Sequence, residues 1–441
     1  MNHNRRREIL QEALKYAGTT KVFVSEPGAL QALPGALEKL YPGRPIIPVA
    51  DDNTWEAAGR ATTELLTAQG CTLADPFIFP GTPMVEADYG HTVTLEQFFR
   101  RSPKGIPLAV GSGTINDLVK LAAHRSGRPY GVVATASSVD GYASDGAALL
   151  TDGSKVTHPC PAPEVIIGDG RLLSTAPAEL TAAGFADLAA KIPAGADWII
   201  ADYLGEDPIN PVSWKLVQEH LRTWLADPRD TEALFIGLTL CGIAMQYQKA
   251  SRPVSGAEHL LSHVWEMHHH TYQGRTILHG IKVGIGTLIS TACYEALLNK
   301  GPGGGEDLEE LEGMFLRKKQ LLEEQFPGIS GLPQLKETLR EKHSDQQRRL
   351  DRRAMITEGW EEIAPKLRQQ LYGYAELKEL LIQAGCPVTA EKIGMDKPRA
   401  VSTLRTAQLI RNRYTILDLL DDLGLMERWI TSLTADDSVL T

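Results

Sequence analysis

Residues 106–123 read IPLAVGSGTINDLVKLAA, a short apolar run, a Gly-Ser-Gly turn and a helical pattern in direct succession. This stretch predicts a buried strand that turns tightly into a helix. Similar alternations surround it, in KVFVSEP at 21–27, PIIPVADDNT at 45–54 and YGVVATAS at 130–137. Strands that alternate with helices form parallel βαβ units. We therefore expect an α/β domain with a parallel sheet in the first part of the chain.

The rest of the chain has a different pattern. From about residue 173 strand patterns nearly vanish, and apolar residues recur at helical spacing, for example in residues 233–250 and 400–425. A chain of 441 residues is too long for one ordinary hydrophobic core. The sequence therefore predicts two domains, an α/β domain over 1–172 and an all-helical domain over 173–441.

The composition restricts the classes of partner. The net charge of −10 is spread along the chain without a long acidic tail, which argues against a general attraction to nucleic acid or to an anionic membrane. The five cysteines are widely spaced and form no CxxC pair, so a reducing cytoplasm suits them. We find no secretory signal pattern and no run that approaches the roughly twenty apolar residues of a membrane span. We expect a cytoplasmic protein with no membrane insertion.

The Gly-Ser-Gly turn is a candidate phosphate-binding site. Gly111, Ser112 and Gly113 follow an apolar run and precede a helix that Thr114 or Asn116 is expected to cap. Backbone N–H groups at a helix start carry partial positive charge, and glycines let the main chain approach a pyrophosphate. The dinucleotide fingerprint GxGxxG is incomplete, since Asn116 stands at its third glycine. The alternative is that the glycines serve the tight turn sterically.

Two further polar positions follow predicted strands. Asp51 ends the run PIIPVAD, and residues 135–138 follow the strand at 130–134. Open α/β sheets bind ligands at the carboxyl ends of their strands. The Asp51 carboxylate is therefore a candidate acceptor for ribose hydroxyl groups. It is equally a candidate helix cap, a role that Asp52 or Asn53 would serve as well.

Histidines cluster in the second half of the chain. Six of the twelve fall between His259 and His279. His259 and His263 are four residues apart on a predicted helix, so both project from one face. Glu258 precedes the first histidine, so HExxH is absent and a zinc protease is excluded. Imidazoles combined with one carboxylate suit a divalent metal that polarises a carbonyl or hydroxyl. The three consecutive histidines at 268–270 point in different directions on any regular element, which argues against a joint metal role.

Six stretches together resemble one known family. They are GSGTINDLVK at 111–120, TASSVDGYAS at 135–144, GFADLAAKIPAGADW at 184–198, SGAEHLLSH at 255–263, LHGIKVGIGT at 278–287 and IRNRYTILDLL at 410–420. The chain is similar to the sn-glycerol-1-phosphate dehydrogenases, in particular the bacterial branch. That family stands in the superfamily of iron-type alcohol dehydrogenases, glycerol dehydrogenase and dehydroquinate synthase. The resemblance implies a Rossmann-like N-terminal domain and a helical C-terminal domain, as in dehydroquinate synthase.

The resemblance also implies roles for particular residues. The implied metal ligands are Asp187, His259 and His279, and the implied substrate contacts are Asp140, Asp187 and His263, of which Asp140 and His263 are the catalytic candidates. The implied dinucleotide contacts are Asp51, Gly111, Ser112, Gly113, Thr114, Ile115, Thr135, Ala136, Ser137, Ser138 and, on the nicotinamide side, Ser144. Local alternatives exist, because Asp140 is also a possible turn residue and Ser144 and Asp187 are possible helix caps.

The implied activity is the reversible, metal-dependent reduction of dihydroxyacetone phosphate to sn-glycerol 1-phosphate by NADH or NADPH. The implied metal is zinc or nickel, and the implied assembly is a homodimer or a larger homo-oligomer. Arg275, Lys282 and Lys191 are the candidate cations for the substrate phosphate. The alternatives are a dehydrogenase of another polyol phosphate, a cyclase of the dehydroquinate-synthase type, and a non-catalytic relative that binds a dinucleotide or a sugar phosphate.

Overall fold

The computed structural model describes residues 1–151, 154–343 and 345–433. Within them the strands are β1 Val22–Glu26, β2 Ile46–Asp51, β3 Phe77–Phe79, β4 Ile106–Gly111, β5 Gly131–Ala134, β6 Gly146–Thr151, β7 Ser154–Pro159, β8 Val165–Asp169, β9 Thr271–Tyr272 and β10 Arg275–Thr276.

Within the described residues, helices make up most of the second half of the chain. They are α1 His3–Leu14, α2 Leu33–Leu40, α3 Asp52–Thr54, α4 Arg60–Ala68, α5 Tyr89–Phe99, α6 Gly113–Arg125, α7 Gly170–Leu173, α8 Ala178–Ala189, α9 Lys191–Tyr203, α10 Pro211–Gln218, α11 Leu221–Trp224, α12 Thr231–Gln248, α13 Ala257–Met267, α14 His279–Lys300, α15 Leu311–Gln325, α16 Leu332–Lys342, α17 Gln346–Glu358, α18 Trp360–Gln370, α19 Tyr374–Gln383, α20 Lys397–Thr406, α21 Ile416–Asp422 and α22 Met426–Leu433. A π-helical turn, Trp55–Gly59, joins α3 to α4, and short 3-10 helices lie at Ala29–Ala32, Asp140–Ala143, Arg252–Val254, Glu391–Ile393 and Ala407–Leu409.

The α/β part contains one six-stranded parallel sheet in the order β1-β8-β5-β4-β2-β3. Strands β4, β5 and β8 are buried along their whole length, as expected when helices cover both faces of a parallel sheet. Their apolar side chains, among them Leu108, Val133 and Ile167, form the core with residues of α2 and α4. The predicted fold class, a parallel α/β domain followed by a helical domain, is confirmed.

The chain forms two compact units whose limits differ from the predicted ranges of 1–172 and 173–441. The first unit comprises Met1–Leu188 and Val212–Ser251, and the second comprises Ala189–Pro211 and Arg252–Thr441. Helix α12 belongs to the first unit because it packs against β1 and β8. The closeness of this packing shows at Gly168, where an added Cβ would lie 2.4 Å from Phe235 Cδ1. The helical pattern of α12 did not reveal which unit it packs on.

The second unit is helical apart from the two-residue strands β9 and β10, which form a small antiparallel pair. Its longest described helix, α14, has a window with a mean hydropathy of 1.3, the length and composition of a membrane span. This run differs from the expectation that no segment approaches the apolar length of a membrane span. Because 83% of that window is buried inside the protein, α14 has the character of a core helix.

Candidate active site

The Gly-Ser-Gly turn lies where β4 ends and α6 begins. β4 continues through Gly111, which pairs with Ala134 of β5, and Ser112 is the N-cap of α6. Among the described residues the Ser112 side chain makes no capping hydrogen bond. The expected caps were wrong: Thr114 lies inside the first turn, and Asn116 is fully buried in the helix. The start of α6 therefore presents backbone N–H groups that no side-chain cap of Ser112 covers.

The two glycines of the turn have a steric function. A Cβ on Gly111 would lie 2.6 Å from Ile115 Cβ, and a Cβ on Gly113 would lie 2.7 Å from Val139 Cγ2. Both distances are too short for any side chain at these positions. The steric explanation of the glycines therefore applies. It leaves phosphate binding open, because glycines without a side chain also let a ligand approach the main chain at the helix start.

Asp51 caps a helix in the way that the alternative reading described. Its Oδ1 accepts the Thr54 N–H at 2.7 Å, and the Asp51 N–H donates to Thr54 Oγ1 at 3.0 Å. This reciprocal pair is a capping box. β4 lies between β2 and β5 in the sheet. Asp51 and Gly111 are the last residues of β2 and β4, and Thr135 directly follows β5, so all three lie at the carboxyl ends of neighbouring strands. The structure thus brings the predicted dinucleotide residues to a common edge.

The segment after β5 is buried and firmly held. The Ser137 hydroxyl donates to the Thr231 carbonyl oxygen at 2.7 Å, and a Cβ on Gly184 of α8 would lie 1.8 Å from the Ser137 carbonyl oxygen. The Tyr142 hydroxyl donates to the Ala136 carbonyl oxygen at 2.8 Å. These contacts with helices on either side therefore fix the positions of residues 135–138.

Asp140 and Asp187 are neighbours in the first unit. The Asp140 N–H donates to Asp187 Oδ2 at 3.1 Å. Asp187 lies in the last turn of α8 and is fully buried, so the alternative role as the cap of a following helix does not describe its position. Asp140 begins the 3-10 helix that ends at Ala143, and the buried Ser144 follows it as the C-cap. The implied substrate residue and one implied metal ligand are thus linked by a hydrogen bond.

The second unit brings three histidines together. His259 and His263 lie on α13, and His279 is the first residue of α14. The ring centroid of His259 lies 6.2 Å from that of His263 and 5.5 Å from that of His279. The rings of His263 and His279 are stacked at 5.8 Å. The clustering of histidines along the sequence is therefore a clustering in space.

Two glutamates orient these imidazoles. His259 Nδ1 lies 2.9 Å from Glu258 Oε1, and His279 Nδ1 lies 2.7 Å from Glu266 Oε1. An Nδ1–H that donates to a carboxylate leaves the lone pair on Nε2, which is the usual arrangement around metal-bound histidine. The sequence analysis missed both glutamates as functional residues. The signals were the adjacency of Glu258 to His259 and the spacing of three between His263 and Glu266.

His263 shares the second glutamate. Its Nδ1 lies 3.0 Å from Glu266 Oε2. Burial, followed by the positive charge of Arg411, lowers the pKa of His263 to about 3, although the Glu266 carboxylate opposes the shift. The lowered pKa favours the neutral imidazole, and the contact with Glu266 favours the tautomer that carries its proton on Nδ1.

Several known proteins are similar to this chain in sequence. Residues 24–177 match the family model described as iron-containing alcohol dehydrogenase. A glycerol-1-phosphate dehydrogenase [NAD(P)+] of Bacillus velezensis is 30% identical over 394 residues, which is 88% of this chain and 87% of that protein. The chain belongs to the glycerol-1-phosphate dehydrogenase family. A member of Bacillus licheniformis is 34% identical over 64% of this chain and 72% of its own. The match to the Halalkalibacterium halodurans member spans 64% of that protein at 32% identity.

Solved structures of other proteins share the fold. A probable glycerol dehydrogenase from Sinorhizobium meliloti superposes with a TM-score of 0.57 at 15% identity, covering 94% of this chain and 98% of its own. An NADH-dependent butanol dehydrogenase from Thermotoga maritima gives a TM-score of 0.54 at 14% identity, covering 92% and 96%. At these identities the likeness concerns the fold alone.

The three cationic candidates that the family resemblance suggested occupy different environments. Lys282 is buried on α14, one turn after His279, and its Nζ lies 3.2 Å from Glu266 Oε1. Lys191 is fully buried at the start of α9, whereas Arg275 is exposed in β10. Of the three, Lys282 adjoins the histidine cluster.

The histidine run at 268–270 serves the structure. His268 Nε2 faces the Gln325 carbonyl oxygen at 2.8 Å, and His270 Nε2 faces the Ile393 carbonyl oxygen at 2.7 Å. The third, His269, has a left-handed backbone at φ 49°. The side chains of His268 and His270 therefore contact separate segments of the second unit.

Proposed function

We propose that this protein reduces dihydroxyacetone phosphate reversibly to sn-glycerol 1-phosphate, with NADH or NADPH as the hydride donor and one divalent metal ion. The observation that carries the proposal is the histidine pair His259 and His279, each with Nδ1 on a carboxylate, in a chain of the glycerol-1-phosphate dehydrogenase family. The relatives that bear this name are matched over most of their length by the present chain.

The proposed metal ligands are Asp187, His259 and His279. Two neutral imidazoles and one carboxylate suit zinc or nickel, and such a set leaves coordination positions for a substrate. A bound divalent ion supplies Lewis-acid polarisation of the ketone oxygen. Glu258 and Glu266 support this use, since they hold the Nδ1 atoms of the two histidines and thereby fix which nitrogen is the donor.

The proposed cofactor site is the edge of the sheet at the ends of β2, β4 and β5. There the start of α6 offers N–H groups to a pyrophosphate, and Asp51 Oδ2 stands beside the Oδ1 that caps α3. Asp51 thereby accepts from ribose hydroxyl groups while it retains its capping bond. The segment from Asp140 to Ser144 holds the nicotinamide side and orients the hydride donor towards the carbonyl carbon.

The proposed proton path uses His263 and water. Because Glu266 holds its Nδ1–H, the Nε2 lone pair of the neutral ring accepts a hydrogen bond from a substrate hydroxyl or from a water molecule. In the oxidation direction Nε2 takes up the hydroxyl proton and passes it on to water, and in the reduction direction water supplies the proton that Nε2 relays to the same oxygen. Asp140 is a proposed substrate contact, and Lys282 is the proposed cation for the substrate phosphate.

The test is oxidation of NADH and NADPH with dihydroxyacetone phosphate, using metal-loaded and chelator-stripped protein. Unphosphorylated dihydroxyacetone is the matched control substrate. We expect turnover that needs both the metal and the phosphate, with sn-glycerol 1-phosphate as the product. Metal-loaded protein that binds NADH and yet leaves dihydroxyacetone phosphate unreduced would overturn the proposal.

A further inference from the structure

Helix α6 contains a lysine whose ammonium group is removed from solvent. Lys120 is fully buried. Its Nζ donates to the Gly141 carbonyl oxygen at 2.7 Å and to the Gly146 carbonyl oxygen at 2.9 Å, and it lies 3.3 Å from Ser144 Oγ. A buried ammonium group is costly unless its donors are satisfied. Here all three acceptors belong to one short stretch of chain, residues 141–146.

An aspartate one turn earlier on α6 completes the arrangement. Asp117 Oδ1 lies 3.3 Å from Lys120 Nζ, and Asp117 Oδ2 accepts the Ala148 N–H at 3.2 Å. The carboxylate balances the buried charge and holds the start of β6. Two side chains of one helix therefore fasten the stretch from Gly141 to Ala148 to α6.

Helix α6 and this stretch carry different parts of the proposed cofactor site. The helix starts at the Gly-Ser-Gly turn, where the proposed function places the pyrophosphate, and the stretch contains Ser144, which it places at the nicotinamide. We propose that Lys120 is a positioning residue that sets the nicotinamide side of the cofactor site relative to the pyrophosphate side. This inference rests on the proposed function and adds to it a residue that touches neither cofactor nor substrate.

The chemistry of the ammonium group explains why lysine stands at this position. It offers three donors in a tetrahedral arrangement, which matches in number the three acceptors at residues 141, 144 and 146. Methionine has a similar length and flexibility but no donor. Arginine keeps the charge, but its planar fork directs its donors differently. The two substitutions therefore separate loss of the donors from a change in their geometry.

Other contacts keep the stretch folded when Lys120 is changed. Gln246 Nε2 of α12 donates to the Ala143 carbonyl oxygen at 2.6 Å, and Lys249 forms an ion pair with Asp145. A Cβ on Gly242 would lie 2.8 Å from Ala143 Cβ, so α12 packs directly on the 3-10 helix. We therefore expect loss of the lysine donors to shift the stretch instead of unfolding it.

The test compares the dissociation constants of NADH and of ADP-ribose, which lacks the nicotinamide, for wild type and Lys120→Met. We expect NADH to bind about tenfold more weakly to the variant, the order of effect of one lost charge-assisted hydrogen bond, and ADP-ribose to bind as tightly as to wild type. Lys318→Met is the matched control. Lys318 is also buried and pairs with an aspartate, Asp421 at 2.7 Å, but it lies in the second unit. We expect it to leave the ratio of the two dissociation constants unchanged.

Three results would overturn the inference. They are an unchanged NADH affinity in Lys120→Met, an equal loss of affinity for NADH and ADP-ribose, and the same selective loss in Lys318→Met. Failure of the wild type itself to bind NADH would overturn the proposed function and the inference with it. If Lys120→Met does not fold, Lys120→Arg decides the matter by the same ratio, since it keeps the charge that folding requires and alters the donor geometry.

Discussion

Replacement of Glu266 by glutamine separates the two functions that its carboxylate serves. Oε1 lies 2.7 Å from His279 Nδ1 and 3.2 Å from Lys282 Nζ, and Oε2 lies 3.0 Å from His263 Nδ1. Glutamine retains one oxygen acceptor and places an NH2 donor at the other position. Because Lys282 is only a donor, the amide oxygen takes the Oε1 position and the NH2 group faces His263.

This orientation determines the expected magnitudes. The bond to His279 survives with a neutral acceptor, and a neutral hydrogen bond is weaker than a charge-assisted one by about 1 kcal/mol. We therefore expect metal affinity to fall by about fivefold, slightly less than the usual effect of losing a ligand-orienting carboxylate. The NH2 group also forces His263 Nδ1 to be an acceptor, which moves the ring proton to Nε2. The position that accepts the substrate proton is thereby lost, and kcat should fall even at saturating metal.

The assay measures zinc or nickel affinity by chelator competition, and kcat for NADH oxidation with dihydroxyacetone phosphate at saturating metal. Glu361→Gln is the control, because Glu361 is an exposed glutamate at the start of α18 and its change removes the same charge. Glu266→Gln with wild-type metal affinity and wild-type kcat would refute the reasoning. A fall in metal affinity that saturating metal fully compensates would refute the part that concerns His263.

Three other changes have defined outcomes. His259→Ala should abolish metal binding and turnover while circular dichroism stays that of the folded protein, and turnover by metal-depleted His259→Ala would contradict the assignment. Asp51→Ala should raise the KM for the cofactor with little change in kcat, and loss of its cap should lower the unfolding free energy by about 1 kcal/mol; a defect confined to kcat would show that Asp51 is misplaced. Burial and the nearby Glu258 raise the pKa of Asp197 to about 7, so the native state holds a proton that the unfolded chain releases, and the unfolding free energy should decrease as pH rises from about 4 to about 7. Urea unfolding of Asp197→Asn should lack that decrease, and an identical pH profile in both proteins would count against the shift.

Local sequence patterns were sufficient to predict the buried strands of the α/β unit. The strands β2, β4 and β5 were visible as apolar runs because they are buried on both faces and need no alternation of polar residues. The N-cap of the helix after Gly-Ser-Gly was misplaced by two or four residues, since Thr114 or Asn116 was expected and Ser112 is observed. β4 continues through Gly111 because that residue pairs with Ala134, and this leaves Ser112 as the N-cap. The pairing depends on a distant strand, which the local pattern does not contain.

The assignment of helices to units could not be predicted from their own sequences. α12 is apolar on nearly all sides, so its pattern shows that it is buried without showing against what. The glycines that decide the matter, Gly168 opposite Phe235 and Gly242 opposite Ala143, are identified only once the chain is folded. The division at residue 172 followed the change from strands to helices, whereas the folded units follow packing.

The candidate metal residues were likewise predictable only in part. The density of histidines between His259 and His279 was a sufficient signal for a cluster of histidines in space. The orientation of His279 was not predictable, because Glu266 reaches it across the packed pair α13 and α14. A contact between two helices depends on their relative rotation, and one sequence without its fold does not specify that rotation.

The two histidine-orienting glutamates differ in a way that bears on how the site works. Glu258 binds a single imidazole, that of His259, and its Oε1 also accepts the Gly256 N–H at 2.6 Å at the start of α13. Glu266 binds both His279, a proposed metal ligand, and His263, the proposed proton acceptor. In the proposed mechanism a change of Glu266 therefore affects both metal affinity and proton transfer. A change of Glu258 affects metal affinity alone. Changes at Glu258 should weaken metal binding and be compensated by excess metal, whereas changes at Glu266 should leave a loss of kcat that no concentration of metal restores.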